Sequence, residues 1–202
     1  MTAQDLANQE PLLDPRTQRT RSALVRAART LVSERPVEAI SITEIAKVAG
    51  VSRPTVYQQF GDIPSLVAYA TKQLMEQIFL NIDEALPFKN DLAYVENVLE
   101  LFVEGVYAER AFCHNAIHGA SSLRIALDTM EFLNRQMSTH VIGANMPIEG
   151  DLAHEVRSAV SAGLVFMIYR WLDSDFSGEN SVSRMAERLA ETLFYTTGVV
   201  RA

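Results

Sequence analysis

Apolar residues recur at helical spacing through most of the chain. From Thr17 onward, Leu24, Ala28 and Leu31 fall on one stripe with Val25 and Val32 beside it, a period that predicts an amphipathic helix. Pro36 ends it, because proline cannot continue the ladder. Ser41-Ile42-Thr43-Glu44 then has the capping-box spacing, in which the Ser side chain accepts from a backbone N–H three residues on and the Glu reaches back. The helix it opens runs only to about Val48, and Gly50 suits a left-handed turn. Ser52 can cap a second short helix with Pro54 in its first turn. Gly61 and Asp62 repeat the stop-and-cap pattern, and a long helix follows with Ile63, Leu66, Val67, Ala70, Leu74, Ile78 and Ile82 on its apolar positions.

The remainder also reads as helix. Asp91 to about Glu109 carries Leu92, Val95, Leu99, Phe102 and Val106. Residues 112–127 and 128–144 read as two further helices, with their break open around Gly119 to Ser122. A loop is expected at 145–151. Residues 152–173 are apolar on more than one face, which calls for cover on several sides. After the loop SDFSGENS, a last helix begins at Val182. No strand-period segment or internal repeat stands out, so the expected class is all-α. Within it, Ile42, Ile45, Ala46, Ala49, Val51, Val56 and Phe60 can share one small core beneath two short helices joined by a tight turn. Two readings of that unit are open: a DNA-binding helix-turn-helix, or an ordinary corner of a helical bundle.

Charge sharpens the choice. The 202 residues carry a net charge of −7, yet residues 15–60 hold eight basic side chains against three acidic ones. The basic groups are Arg16, Arg19, Arg21, Arg26, Arg29, Arg35, Lys47 and Arg53. The chain as a whole repels a polyanion, while this stretch attracts one. A single Cys excludes an intramolecular disulfide framework and a cysteine-rich zinc module. No apolar run reaches the roughly 18 residues of a membrane span, and the first residues do not read as a secretory signal. A cytoplasmic protein is expected, without membrane association.

The segment SITEIAKVAGVSRPTVYQQFGDIPSLV, from Ser41 to Val67, resembles the DNA-binding domain of the tetracycline-repressor (TetR) family of transcriptional regulators. Ile45-Ala46, Ala49-Gly50-Val51-Ser52, Thr55-Val56-Tyr57, Phe60 and Leu66 carry the resemblance, in order and at fixed spacing. It implies a flexible arm at 1–15, a helix-turn-helix domain at 16–62 and a helical ligand-binding and dimerisation domain at 63–202. Two positions depart from the family. Ile63 stands where a Lys is frequent, and Gln59 where a His or Tyr is frequent; both family residues usually touch phosphate. No ionic contact is carried over to Ile63.

The chemistry of the second short helix fits that implication. Lys and Arg gain affinity for a duplex by releasing counterions, while base edges in the major groove carry sequence information. Arg53 suits a guanine or a phosphate, Thr55 a phosphate or a thymine methyl, Gln58 an adenine edge, and Pro54 a thymine methyl. Gln59 can donate a neutral hydrogen bond, and the resemblance gives Tyr57 a phosphate contact through its hydroxyl. Thr43 near a helix N-terminus is a further phosphate candidate, and Arg16 and Arg19 are candidates for the minor groove or backbone. The resemblance also implies a homodimer, paired through the helices at 152–173 and 182–200, with reading helices roughly 34–36 Å apart on double-stranded operator DNA.

For the second domain the resemblance implies a small-molecule pocket. Its candidate walls are Phe102, Val106, Phe112, Met130, Leu133, Met137, Phe166 and Tyr169, an apolar lining suited to a hydrophobic effector. Cys113, His114 and His118 form the one cluster resembling a metal or nucleophile site. No third ligand has the spacing, so packing or ligand polarity is the reading, and neither metal, cofactor nor catalysis is expected. The overall expectation is a repressor released by its ligand. The alternatives are the same fold without effector control, and an all-helical enzyme or carrier using the apolar cavity.

Overall fold

The computed structural model describes residues 14–89, 91–137 and 150–197, and among these it is all-helical. Its helices are α1 (Pro15–Glu34), α2 (Ile42–Ala49), α3 (Arg53–Phe60), α4 (Ile63–Ala85), α5 (Leu92–Ala108), α6 (Arg110–His118), α7 (Ser122–Gln136), α8 (Asp151–Leu172) and α9 (Val182–Thr197), with short 3-10 turns at Val37–Ala39 and Gly178–Asn180. Residues 1–13 of the expected arm, most of the loop expected at 145–151 and the end of the last helix lie outside the described residues.

The first three helices form a head around Leu24, Ala28, Val32, Ile45 and Val56, and the start of α4 adds Leu66, Val67 and Ala70. Arg16 and Arg19 sit in the opening turns of α1, so they are held on a helix and not on an extended arm. At 1.5 Å per residue the 23 residues of α4 span about 35 Å. They pass from the head into the body, where α4 packs on α5, α6 and α7. One continuous buried cluster runs from Leu24 in α1 to Phe194 in α9.

The break in the middle of the chain falls within the window left open around Gly119 to Ser122, and not at 127–128. Residues 112–127 are not one helix: α6 ends at His118 and α7 starts at Ser122. Packing explains the stop. A Cβ on Gly119 would lie 2.9 Å from Val37 Cγ2, so the chain turns where the body touches the head. Gly105 marks a second close approach, since a Cβ there would lie 2.9 Å from Ile78 on α4.

Candidate nucleic-acid interface and interior

The reading head is shaped by its caps. Ser41 Oγ accepts from the Glu44 N–H at 3.3 Å, and Glu44 accepts from the Ser41 N–H at 2.9 Å. Arg35 at the end of α1 donates to the same carboxylate at 2.5 Å, tying α1 to α2. The Ser41 hydroxyl and N–H, with Arg35, hold the Glu44 carboxyl down at about 2. Gly50 turns the chain in the left-handed region at φ 67°, and its N–H closes α2 on the carbonyls of Ala46 and Lys47. Ser52 Oγ then accepts from the Thr55 N–H at 3.3 Å to open α3. At the far end Gly61 turns at φ 78°, and Asp62 accepts from the Ser65 N–H at 2.7 Å to open α4. Those Ser65 bonds hold the Asp62 carboxyl below its ordinary range.

Of the eight residues in α3, only Val56 is buried. Arg53, Pro54 and Gln58 are exposed, and the Tyr57 ring is 57% exposed. Thr55 and Gln59 are half-buried, and the Thr55 hydroxyl is 2.8 Å from Ser52 Oγ. Thr43 is exposed in the first turn of α2, as are Arg16 and Arg19 on α1. The basic stretch divides in two. Arg21 lies over the rings of Phe60 and Tyr69, 4.8 and 4.5 Å from their centroids. Arg29 pairs with Glu109 at 2.7 Å, and Arg35 with Glu44. These three cations build the head and its joint to the body. Arg16, Arg19, Arg26, Lys47 and Arg53 are left exposed. Composition did not separate the two sets, because the separation depends on which partners folding brings near. Gln58 and Gln59 also border a cleft of about 520 Å³ between head and body, with Tyr69, Lys72, Arg124 and Asp128 on its other walls.

Inside the body, Phe102, Val106, Phe112, Leu133 and Met137 are buried, and Met130 and Tyr169 are half-buried against the same core. Phe79 and Phe132 belong with them and were not singled out from the sequence. The Phe79 ring lies 5.5 Å from Phe102 and 5.2 Å from Phe132. Tyr169 Oη is shut from solvent and has no hydrogen-bond partner among the described residues. Burial, then the neighbouring Cys113, pushes its hydroxyl up to about 12. Burial likewise pushes the Cys113 thiol up to about 12, the opposite of what a nucleophile needs.

Phe166 corrects the interior list. It is 63% exposed, so it does not line a chamber inside the chain. The reason is its position on α8: Leu152, Ala159, Gly163, Phe166 and Arg170 follow one outward stripe, while Val160, Leu164, Val165 and Ile168 face in. Tyr195 on α9 is 89% exposed. Cys113 is buried away from its two neighbours, whereas His114 and His118 face Asp173 at the end of α8, a residue that sequence spacing did not connect to them.

Residues 24–70 match the family model for bacterial regulatory proteins, tetR family. Over 85 residues the chain is 31% identical to the HTH-type transcriptional regulator AlkX of Mycobacterium tuberculosis; that match takes in 42% of this chain and 38% of the relative, well under half its length. Among solved structures, the TetR family repressor AlkX from Dietzia sp., implicated in biodegradation of n-alkanes, superposes with a TM-score of 0.59 at 21% identity, covering 89% of this chain and 98% of that one. The fatty acid degradation regulator FadR from Bacillus halodurans superposes with a TM-score of 0.60 at 12% identity, covering 89% and 99%. At those identities the likeness establishes a shared fold.

Proposed function

Starting from a chain that belongs to the TetR family, we propose that it is a cytoplasmic, homodimeric repressor that binds operator DNA and leaves it when a hydrophobic small molecule enters the body. The observation that carries this reading is α3 itself. A helix that buries one residue in eight does little for the core, and its exposed Arg53, Pro54, Tyr57 and Gln58 are a surface for reading a major groove. Arg53 pairs with a base edge or phosphate, Tyr57 and Thr43 reach phosphates, and Thr55, Gln58 and Gln59 follow the groove edge. Arg16 and Arg19 add charge from α1.

Two reading heads are needed for specificity, and the outward stripe of α8 with α9 is the pairing surface. Gly163 has open space where a Cβ would stand, and Leu152, Phe166 and Tyr195 are large side chains left in water by a single chain. A second copy meeting the same stripe buries them across a twofold axis. The effector enters among Phe79, Phe102, Phe132 and Tyr169. An apolar molecule with one polar group suits a lining whose buried Tyr169 hydroxyl has no partner among the described residues. The alkane and fatty-acid degradation contexts of the two structural relatives favour the same ligand class. Such a ligand drives release only through unequal affinity for the two spacings of the heads. The helix α4, shared by head and body, transmits the difference.

Binding of the chain to duplexes from its own upstream DNA tests this. Affinity falls steeply with salt, and Arg53→Ala costs about 1–3 kcal/mol if the contact is bidentate to a base. An unchanged isotherm removes Arg53 from the interface. Long-chain alkanes and fatty acids raise the melting temperature and weaken operator binding together; a molecule that does one without the other is not the effector.

A further inference from the structure

His114, His118 and Asp173 bring three metal-ligating atoms within 4.8 Å of one another, where the end of α6 meets the end of α8. Asp173 Oδ1 lies 3.5 Å from His114 Nε2 and 3.3 Å from His118 Nε2, and the two imidazole rings are 4.5 Å apart. The second ring nitrogens set the tautomers. His118 Nδ1 is 2.8 Å from the His114 carbonyl, which can only accept, so Nδ1 carries the hydrogen and Nε2 of the neutral ring presents a lone pair. Asn115 donates its Nδ2 to the Val32 carbonyl at 2.7 Å, which turns its Oδ1 toward His114 Nδ1 at 3.4 Å. His114 Nδ1 therefore also donates, and its Nε2 faces the carboxylate with a lone pair. Two imidazole lone pairs and a carboxylate oxygen converge on one spot with no hydrogen among them. A cation resolves the repulsion.

We propose that His114, His118 and Asp173 bind one divalent transition-metal ion of the zinc type. Two ligands on one tetrahedral zinc ion, each about 2.0–2.1 Å from the metal, stand roughly 3.3 Å apart; the two imidazole–carboxylate separations match this, while the imidazole nitrogens, within 4.8 Å of one another, close on the ion by ring rotation. Imidazole with carboxylate is the donor set of zinc, nickel and copper, and not of the hard cations magnesium and calcium. All three side chains are about half exposed, which leaves a fourth position for water. Hydrogen bonds from the far ring nitrogens to a carbonyl and an amide oxygen are the outer support such ligands require. His118 closes α6 and Asp173 follows α8, so both ligands stand at helix C-termini with their partial negative charge. The ion would fasten α8 to α6, the helix that carries Asn115 against Val32 and Gly119 against Val37 of the head.

The test is titration of the full-length chain, free of tags, with zinc chloride against a chromogenic chelator, and with cobalt chloride by visible absorption. The expected result is one site per chain, a raised melting temperature with micromolar zinc, and a tetrahedral cobalt spectrum. Asp173→Asn and His118→Ala each weaken binding at least about tenfold, while His154→Ala, on the same α8 but outside the cluster, does not. Far-ultraviolet circular dichroism confirms that each variant is folded. Absence of a saturable site overturns the proposal, as does equal zinc affinity in the folded Asp173→Asn chain. So does a melting temperature that follows pH alone and ignores zinc, which would leave an ordinary histidine–aspartate ion pair.

Discussion

The head and the body of this protein are held by different kinds of instruction. Helices α2 and α3 have eight residues each, too short to persist alone, and side-chain caps from Ser41 and Ser52 fix where they start. Asp62 does the same for α4, and glycines at positive φ close α2 and α3. In the body Asp91 caps α5 in the same way, but α6, α7 and α8 start without any side-chain cap, as α1 does in the head. Their ends are set by what they pack against, as Gly119 against Val37 illustrates. A reading surface must expose most of α3, so little burial is available to hold it, and local hydrogen bonds take over. The body's interior relies on apolar contact, which is less directional and tolerates rearrangement.

The comparison breaks most visibly where burial alone carries the body. Phe102→Ala removes a ring that is 2% exposed and packed on Phe79, and should cost about 3–5 kcal/mol in denaturant unfolding. Operator affinity of the folded fraction should survive, because no head residue is touched. A loss of DNA binding at full folding would mean that the two halves are not separable in this way.

At the joint the effect is smaller but double. Gly119→Ala forces a Cβ against Val37 Cγ2 and Cβ, both on a stiff branched side chain. Overpacking of this kind costs about 1–3 kcal/mol and should change operator affinity as well, since Val37 belongs to the head. Val37→Ala in the same chain removes the Cγ2 contact and keeps the Cβ at 3.0 Å, so it relieves the clash in part. Calorimetry of the single and double variants gives a coupling energy; additive costs would deny the contact.

The smallest effect sharpens the account of the head. Ser41→Ala removes a cap and should cost about 1 kcal/mol, read by chemical denaturation. The same box predicts acid sensitivity. The folded Glu44 carboxyl titrates near 2 against an ordinary value of 4.5, so its contribution is full above the unfolded value and drains as pH falls toward 2. Glu44→Gln should flatten stability in that window, and an unchanged acid profile would remove Glu44 as its source.

Much of the head was legible because its signals are short-range. Ser41 with Glu44, Gly50, Ser52 with Pro54 and Asp62 with Pro64 each act within one turn of helix, so adjacent letters fixed the element and its ends. Of the side chains the period turns outward, Arg53 and Gln58 are exposed, whereas Thr55 and Gln59 are half-buried and the Tyr57 ring stands out from the domain. Arg21, Arg29 and Arg35 read as part of one basic face, yet their destinations are Phe60 and Tyr69, Glu109, and Glu44. Phe166 read as a pocket wall because apolar residues surround α8 on several sides, and the pattern alone did not say which side turns outward.

By itself, then, the order of residues determined that the chain is helical, where α3 begins and ends, and that Arg53 and Gln58 stand on its outer side. Caps, turns and periodicity operate over three or four residues and need nothing distant. Folding alone decided which cations stay exposed, which face of α8 stays uncovered, and that Asp173 arrives beside His114 and His118 across a separation of more than fifty residues. Those outcomes depend on how helices of similar composition stack, and the stacking is set by volumes and close approaches that no short stretch of sequence contains.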